Sequence, residues 1–232
     1  EMSVFKFKEF SIIQEKSAMK VGTDGVLLGS WVACRQANTI LDIGCGTGLI
    51  SLMLAQRNLN SNIIGIEIDA IASQEAKLNV DNSDWQERIR IEHSALQQFK
   101  PETQFDLIVS NPPFFAENKA QDRRATARHT NSLSFEELIF NTSNLLTEKG
   151  IFGVIIPKDA ETEFCEITTT HNLYCNRACN VKGNDKVDVK RVMLEFSFNK
   201  TEITTEYLTI ETGRHQYTDE YIQLCKDFYL KM

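Results

Sequence analysis

Asn111-Pro112-Pro113-Phe114 combines hydrogen-bond acceptors, a stiff turn and an aromatic ring in consecutive positions. Each proline fixes its own φ and restricts the residue before it, so the Asn111 side chain and the Pro112 carbonyl are held in nearly fixed directions. Two such acceptors can bond both hydrogens of a planar amino group, and Phe114 offers a stacking face for the attached ring. The alternative is a plain Asn-Pro turn that tucks its aromatics into the core. We call residues 111–114 the acceptor turn.

A buried strand is predicted directly before the acceptor turn. Residues 105–109 form a short apolar run with β-branched members, and the run stops at Ser110 because prolines cannot donate to a sheet ladder. Of the two aromatic residues that follow, Phe114 is assigned to stacking and Phe115 to packing or loop support. The turn therefore begins at the carboxyl end of a strand, where ligands bind in open α/β sheets.

A glycine-rich loop follows an earlier predicted strand, residues 40–43, and precedes a helical pattern over residues 49–55. Strand, glycine-rich turn and helix begin a doubly wound α/β fold, in which glycines let the backbone approach a ligand closely. The spacing is G-x-G-x-G instead of the G-x-G-x-x-G of dinucleotide loops. It suits the methionine part of S-adenosylmethionine, whose ammonium group an acidic residue can help to hold. The candidate residues are Asp42, Gly44, Cys45, Gly46 and Gly48. A glycine-rich turn without a ligand is the alternative.

Further cofactor contacts are predicted at the ends of the next two strands. Glu67 ends a strand about 20 residues after the glycines, where an acidic residue accepts hydrogen bonds from ribose hydroxyls. Ile68 can pack against an adenine face. Ser94 and Ala95 follow the third predicted strand and can reach the cofactor's adenine, with an ordinary turn as the alternative. Asn111 is counted with the cofactor residues as well, because its turn shares their edge of the sheet.

Capping residues predict where several helices begin. Thr23 or Asp24 is expected to cap a helix over about residues 25–33, and cofactor contact is the alternative role for Asp24. Asp69 is expected to cap the helix after the second strand. Ser134 and Glu137 form a capping-box pattern. A final capped amphipathic helix is predicted over residues 217–229.

These patterns predict an α/β, Rossmann-like fold. We expect a mostly parallel seven-stranded sheet with helices on both faces and a C-terminal antiparallel hairpin, formed by residues 173–181 and 189–198. Residues 1–35 are expected to add a strand or hairpin and a helix to a catalytic core over residues 36–232. We therefore predict a single domain.

Composition limits the classes of protein to which the chain can belong. Its 232 residues are 42% hydrophobic and 25% charged, as in an ordinary soluble globular protein. No apolar run approaches the roughly 20 residues needed to span a membrane, and no signal peptide is expected. The six cysteines lack zinc-site spacing and none of the four histidines has a ligand-like spacing, so no metal site is predicted. We expect reduced thiols in a cytoplasmic protein.

Two local basic clusters stand against a net charge of −7, which argues against indiscriminate nucleic-acid binding. One lies within residues 117–132 and the other in the connection between the last two predicted strands. Phosphate contact is the functional interpretation, and a solvated surface loop is the alternative. The candidate nucleic-acid-binding residues are Arg123, Arg124, Arg128, His129, Lys190 and Arg191.

Together, the residues predict methyl transfer to an amino nitrogen. Transfer from a sulfonium is an in-line displacement, so the protein must align donor and acceptor. Two acceptors that bond the hydrogens of an adenine amino group become better matched as positive charge develops on its nitrogen. A base inside a helix would have to be flipped out, so a single-stranded loop is the cheaper substrate.

These motifs resemble those of known methyltransferases. Residues 41–48 with the acceptor turn resemble class I S-adenosylmethionine-dependent methyltransferases that act on planar amide or amine nitrogens. Residues 20–29, 127–129, 190–192 and 227–230 resemble the bacterial tRNA1(Val) (adenine-N6)-methyltransferase family, so the resemblance covers nearly the whole chain.

This resemblance implies N6-methylation of adenine 37, just 3′ of the anticodon of tRNA1(Val), by a monomeric cytoplasmic enzyme. It assigns the acceptor turn to the target base, and Asp24, Asp42, Gly44 and Glu67 to the cofactor. Ser94 stands where many relatives in the superfamily have an acidic residue that holds the cofactor's adenine amine. Adenine recognition is then expected to rest on backbone groups.

Two other functions remain open. A protein glutamine N5-methyltransferase uses the same turn, but usually has Tyr at the position of Phe114 and a separate N-terminal domain. Fewer residues precede the first core strand than the roughly 50 that a domain needs. A non-catalytic methyltransferase-like RNA-binding module is opposed by the intact glycine loop and Asn111. The glycine spacing disfavours a dehydrogenase.

Overall fold

The computed structural model describes residues 3–113 and 133–232. Within them, an N-terminal hairpin precedes an α/β core. In chain order, the strands and α-helices are β1 (Val4–Lys6), β2 (Ser11–Ile13), α1 (Thr23–Trp31), β3 (Thr39–Ile43), α2 (Leu49–Arg57), β4 (Asn62–Glu67), α3 (Ala70–Asp81), β5 (Ile89–His93), β6 (Phe105–Ser110), α4 (Phe135–Leu145), β7 (Leu146–Pro157), α5 (Glu161–Thr170), β8 (Tyr174–Asn184), β9 (Arg191–Ser197), β10 (Thr204–Gly213), β11 (Gln216–Tyr217) and α6 (Asp219–Cys225). Short 3₁₀ turns cover Leu96–Gln98 and Lys158–Ala160.

The main sheet confirms the predicted fold class. Its strand order is β11-β10-β8-β9-β7-β6-β3-β4-β5. Strands β7, β6, β3, β4 and β5 are parallel to their neighbours in that series, and β9 runs antiparallel to both β7 and β8. The predicted seven strands are β3 to β9, and the predicted C-terminal hairpin is β8 with β9.

Strands β10 and β11 extend this sheet beyond the prediction. β10 pairs in parallel with β8, and β11 pairs antiparallel with β10. The sequence of β10 is rich in β-branched residues, but along it only Leu208 is fully buried. A strand near the sheet edge that buries so little gives a weak alternation signal, so the sequence pattern did not predict β10.

The strand register places three chain segments at one level of the sheet. Ile43 at the end of β3 pairs with Ile66 on one side and with Ser110 on the other. The glycine loop, Glu67 and the acceptor turn follow these residues directly. Because parallel strands that end in register deliver their following residues to the same edge, the sheet itself brings the predicted site together.

Two apolar cores lie on opposite faces of the sheet. Neighbouring residues Ile40 and Leu41 of β3 belong to different cores, as the alternation of side chains along a strand requires. One core holds buried residues of α1, α2, α3 and α6, and the other holds those of α4 and α5. The helices therefore cover both faces, as predicted.

Helix starts agree with the sequence at two positions and disagree at a third. Asp69 caps α3 by accepting a 2.7 Å bond from the Ala72 N–H, and Ser134 with Glu137 forms the capping box of α4. The capping role predicted for Thr23 or Asp24 was wrong. The N-cap of α1 is Gly22, which offers no side chain, and Asp24 lies in the first turn. The last helix is α6, capped by Thr218 and shorter than predicted.

The N-terminal hairpin of β1 and β2 also confirms its prediction. Phe7 stacks on Phe10 with ring centroids 4.7 Å apart, and Phe5 and Phe7 both contact Tyr229. This aromatic contact fixes the hairpin against the segment after α6. No helix within the described ranges is long and apolar enough to cross a membrane.

Candidate active site

A cavity of about 900 Å³ opens at the carboxyl ends of β3, β4 and β6. Its wall includes the residues that follow these strands, residues 94–98 after β5, and residues 19–25 before and within the start of α1. The predicted residues that line it are Asp24, Asp42, Gly44, Cys45, Gly46, Glu67, Ile68, Ser94, Ala95, Asn111, Pro112, Pro113 and Arg191. One cavity therefore collects both halves of the predicted site.

The glycine loop leaves open space where side chains would otherwise stand. Gly44 and Gly46 have φ values of 67° and 55°, in the left-handed region that glycine tolerates best. A Cβ atom added to either would meet nothing within 4 Å, so the requirement for glycine comes from backbone conformation. The open backbone surface is what a closely held ligand requires, and it fits the predicted cofactor.

Gly48 has a different role in the loop. It does not line the cavity; it begins α2 with φ 88°, and an added Cβ would lie 3.5 Å from the Cβ of Ala76. Cys45 lines the cavity with a buried thiol, and burial raises its pKa well above the ordinary value. The thiol is therefore protonated and unreactive at neutral pH.

Asp42 is a buried carboxyl group at the base of the cavity. Its Oδ2 accepts hydrogen bonds from the Ser51 N–H at 3.1 Å and from the Ser51 hydroxyl at 2.8 Å. Burial raises the pKa of Asp42 to about 7, and the nearby Glu67 carboxylate acts in the same direction against the Ser51 bonds. A bound ammonium group would favour the carboxylate form, so cofactor binding and the ionisation of Asp42 are linked.

Glu67 joins the end of β4 to the glycine loop. Its Oε2 accepts a 2.8 Å bond from the Gly46 N–H, and its Oε1 accepts a 2.9 Å bond from the Asp69 N–H. Each carboxylate oxygen can accept a second bond, so the group is oriented and still able to bind two ribose hydroxyls. This arrangement fits the predicted ribose contact.

The residues beside Glu67 form the expected adenine end of the cavity. Ile68 is 42% exposed although it is apolar, which leaves its side chain available as a packing face. Ser94 donates its hydroxyl hydrogen to the Ala95 carbonyl at 3.0 Å. Gln97, for which no role was predicted, lines the same region, as does Glu137 of α4. No pattern in the sequence pointed to Gln97.

Asn111 leaves the sheet beside the start of α1. The preceding Ser110 hydroxyl donates to the Ile43 carbonyl at 3.1 Å, which ties the ends of β6 and β3 together. A Cβ added to Gly25 would lie 3.0 Å from Leu49 Cδ2 and 3.8 Å from Asn111 Nδ2, so α1 packs directly against the acceptor turn. Pro112 is buried and Pro113 is exposed. Phe114 and Phe115 lie outside the described residues.

Asp24 and Arg191 form an ion pair at the cavity wall. Arg191 Nε donates to Asp24 Oδ2 at 2.8 Å, and both side chains are partly exposed. Asp24 was predicted to contact the cofactor and Arg191 to contact nucleic acid, and their pairing was not predicted. The guanidinium also donates to the Lys190 carbonyl at 3.1 Å. Lys190 itself does not line the cavity. Arg123, Arg124, Arg128 and His129 lie outside the described residues.

Among residues 3–113 and 133–232, no group of three or more His, Cys, Asp or Glu side chains is arranged to hold a metal ion. The polar side chains that line the cavity are carboxylates, amides, hydroxyls and the cationic groups of Lys20 and Arg191. Such a set can hold an organic ligand through hydrogen bonds.

Comparison with known proteins first identifies the class. Residues 17–165 match the model of the methyltransferase small domain family. The fold is similar to that of a predicted O-methyltransferase, protein Atu636 from Agrobacterium tumefaciens, with a TM-score of 0.70, 20% identity, and coverage of 88% of this chain and 96% of that one. It is also similar to that of a protein from Listeria monocytogenes described as a class I S-adenosylmethionine-dependent methyltransferase, with a TM-score of 0.57, 13% identity, and coverage of 80% of this chain and 62% of that one. The fold and the cavity define a class I methyltransferase whose cofactor is S-adenosylmethionine.

Full-length relatives then specify the family. A protein of Christiangramia forsetii is 46% identical over 235 residues, covering 98% of this chain and 98% of the relative. One of Flavobacterium psychrophilum is 48% identical over 234 residues, covering 99% and 100%. Both carry the name tRNA1(Val) (adenine(37)-N6)-methyltransferase. The chain belongs to the tRNA1(Val) (adenine(37)-N6)-methyltransferase family.

The raised pKa of Asp42 predicts a pH-dependent affinity for S-adenosylmethionine. The pKa of Asp42 is about 7, so at a lower pH its carboxyl group is mostly protonated and must lose the proton before it can attract the ammonium group. The dissociation constant should therefore rise as pH falls from 7 to 5.5, by up to about tenfold per pH unit. Titration calorimetry over this range checks it, with Asp42→Asn as the variant that should lose the dependence. Equal affinity at pH 5.5 and 7 in the unmodified protein would contradict the assignment.

Replacing Glu67 with Gln should weaken S-adenosylmethionine binding. The amide keeps the shape but loses the charge and presents a donor toward a backbone N–H. We expect the dissociation constant to rise about 10- to 100-fold, because a hydrogen bond to a charged group contributes about 1.5–3 kcal/mol. Glu92→Gln on the adjacent strand is the control, since Glu92 pairs with Arg90 at the surface. Unchanged affinity of Glu67→Gln would refute the ribose contact.

Proposed function

We propose that the protein transfers the methyl group of S-adenosylmethionine to N6 of adenine 37 in tRNA1(Val), next to the anticodon. The observation that carries this proposal is that the acceptor turn and the glycine loop open into one cavity. The names of the full-length relatives support the choice of substrate.

The first task of the site is alignment. When bound, S-adenosylmethionine supplies a methyl group on a positively charged sulfur. In-line transfer requires the accepting nitrogen to lie opposite that sulfur, and correct positioning of reactants is a large part of such catalysis. Strands β3, β4 and β6 end in register, which fixes the positions of the predicted cofactor residues relative to Asn111. The sheet thereby supplies the alignment.

The second task is to bind the adenine amino group. The Asn111 side-chain oxygen and the Pro112 carbonyl can each accept one of its two hydrogens. Both bonds strengthen as the nitrogen gains positive charge, so they stabilise the transition state more than the bound substrate. The half-buried position of Asn111 beside Gly25 limits the directions its amide can take. Phe114 is proposed to stack on the base.

The third task is to hold the anticodon arm. The last residues of β8 carry Lys182, and the connection from β8 to β9 carries Lys186 and Lys190 and precedes Arg191 at the cavity wall. Asp24 orients one edge of the Arg191 guanidinium, which leaves other N–H groups able to contact a phosphate. An anticodon loop is single-stranded, so its adenosine can reach the cavity without opening a helix. We further propose that the enzyme acts as a monomer in the cytoplasm, where tRNA is available.

The proposed reaction can be tested by transfer of tritium from labelled S-adenosylmethionine to total tRNA that lacks this modification. Nucleoside mapping should place the label in N6-methyladenosine at position 37 of tRNA1(Val). Label in another nucleoside or in another tRNA would refute the proposed substrate. Absence of label in RNA, together with methylation of a protein glutamine, would favour the alternative function.

Replacing Asn111 with Ala should abolish most turnover and leave cofactor affinity nearly intact. Loss of one acceptor that acts in the transition state lowers kcat by about 10²–10³-fold. Single-turnover methylation measures the loss, and calorimetry with S-adenosylmethionine measures retained binding. Asn141→Ala is a suitable control, because Asn141 is a partly exposed asparagine on α4 whose side chain donates to the Glu137 carbonyl of its own helix. Substantial turnover by Asn111→Ala would exclude the proposed role.

Replacing Lys182, Lys186 and Lys190 together with Gln should weaken tRNA binding and flatten its salt dependence. Each lost phosphate contact lowers the slope of log affinity against log salt by about 0.7–0.9. The matched control replaces Arg35, Lys149 and Lys200 with Gln, which removes the same charge near the opposite edge of the sheet. Equal slopes for both triple variants would assign these three lysines to a solvated surface role.

A further inference from the structure

Residues 14–22, which we call the strap, contain neither helix nor strand, and the last four of them line the cavity. The strap connects β2 to α1, and residues 19–22 at its end line the cavity together with the first turn of α1. An irregular segment needs partners outside itself for its backbone N–H groups. Those partners come mainly from α3.

Glu75 on α3 binds the middle of the strap. Its Oε1 accepts a 2.7 Å bond from the Lys16 N–H, and its Oε2 accepts a 3.0 Å bond from the Ser17 N–H and another from the Ser17 hydroxyl. Glu75 is only 8% exposed and does not line the cavity. A buried carboxylate is costly unless it is fully hydrogen-bonded, so its charge is committed to this segment.

Asn79, one helical turn later on α3, binds the residue that precedes the strap and also the glycine loop. Its Oδ1 accepts a 2.8 Å bond from the Ile13 N–H, where the strap begins. Its Nδ2 donates to the Ile13 carbonyl at 3.0 Å and to the Thr47 carbonyl in the glycine loop at 2.9 Å. The side chain is 1% exposed. One buried amide therefore connects the strap to the cofactor loop.

Hydrogen bonds within the strap also join its first residue to its last residues. Gln14 Oε1 accepts a 2.6 Å bond from the Val21 N–H, and the Lys20 ammonium donates to the Gln14 carbonyl. These bonds fold the strap into a loop whose two ends are close together. A displacement of its middle is therefore transmitted to residues 19–22.

The strap ends where the acceptor turn and the ion pair lie. Gly22 caps α1, and Asp24 and Gly25 follow in its first turn. Asp24 binds Arg191 at 2.8 Å, and a Cβ on Gly25 would be 3.8 Å from Asn111 Nδ2. A continuous series of contacts thus runs from Glu75 through the strap to Asn111.

We propose that Glu75 and Asn79 are positioning residues for methyl transfer, which hold the strap so that the start of α1 fixes the acceptor turn. The inference rests on the proposed function for the identity of the accepting group. It assigns a role in turnover to two buried residues that do not line the cavity.

The ionisation state of Glu75 agrees with this role. Burial raises its pKa, but the bonds from Ser17 and from the backbone N–H groups of the strap outweigh burial and hold the pKa below its ordinary value. The carboxylate therefore stays charged at neutral pH. Its contribution to holding the strap is present above the pKa of the unfolded chain and is lost only as pH falls through the lowered value.

The test compares Glu75→Gln with Glu195→Gln. Glu195 is also a buried glutamate, 5% exposed, but it pairs with Arg177 away from the cavity. Gln at position 75 places an amide donor against one backbone N–H of the strap. We expect kcat to fall about 10- to 100-fold in Glu75→Gln, since small displacements of reacting groups have effects of this size. The KM for tRNA should change much less, and Glu195→Gln should keep normal kcat.

A second pair of variants controls for stability. Asn79→Ala and Asn58→Ala each remove a buried amide that donates to two carbonyls; Asn58 binds those of Cys34 and Ala37 at 2.7 and 2.8 Å. Thermal unfolding should show similar losses of stability for both, but only Asn79→Ala should lower kcat. Hydrogen exchange at the amides of Lys16 and Ser17 should accelerate in Glu75→Gln and in no control.

Either of two results would overturn the proposal. One is a folded Glu75→Gln protein with normal kcat. The other is an equal loss of kcat in the two control variants at equal loss of stability. If the unmodified protein transfers no methyl group to tRNA, the proposed function fails, whereas hydrogen exchange still tests whether Glu75 holds the strap.

Discussion

The structure depends on the register of three parallel strands. Ile43 pairs with both Ile66 and Ser110, so β3, β4 and β6 end at one level and release their next residues into one cavity. A shift of one residue in either pairing would turn every side chain of that strand to the opposite face. It would also move Glu67 or Asn111 along the strand by about 3.3 Å, which is more than a hydrogen bond tolerates. The two apolar cores fix this register, because each face of β3 is buried.

The site then uses buried polar groups that the sheet alone could not orient. Glu67 bonds the glycine loop, Asp42 bonds the start of α2, and Ser110 bonds the end of β3. Such groups are costly to bury without partners, so each bond also specifies one arrangement of its loop. The cost is visible at Asp42, whose pKa burial raises to about 7. The buried Asp42 carboxylate, which is costly on its own, would attract a cationic ligand.

Sequence patterns were sufficient wherever a local rule determined the structure. The glycine spacing, the strand that ends before Asn-Pro-Pro, the Asp69 cap and the capping box of α4 each identified an element that the structure contains. Long-range pairings had no such signal. The Asp24–Arg191 ion pair joins residues 167 positions apart, and the anchors Glu75 and Asn79 resemble ordinary polar residues of an amphipathic helix. The capping role of Asp24 failed for a related reason: glycine at position 22 provides the cap through backbone conformation, leaving the carboxylate free to bind Arg191.

The central claim is that one cavity holds the methyl donor and the target adenine, with Asn111 binding the accepting nitrogen. The most direct measurement is a crystal structure of the protein with S-adenosylhomocysteine and the anticodon stem-loop of tRNA1(Val). We expect adenine 37 to be turned out of the anticodon loop, with its N6 within about 3.2 Å of Asn111 Oδ1 and of the Pro112 carbonyl oxygen. An adenine 37 that remains stacked in the loop, or one that enters the cavity with N6 directed away from Asn111, would contradict it.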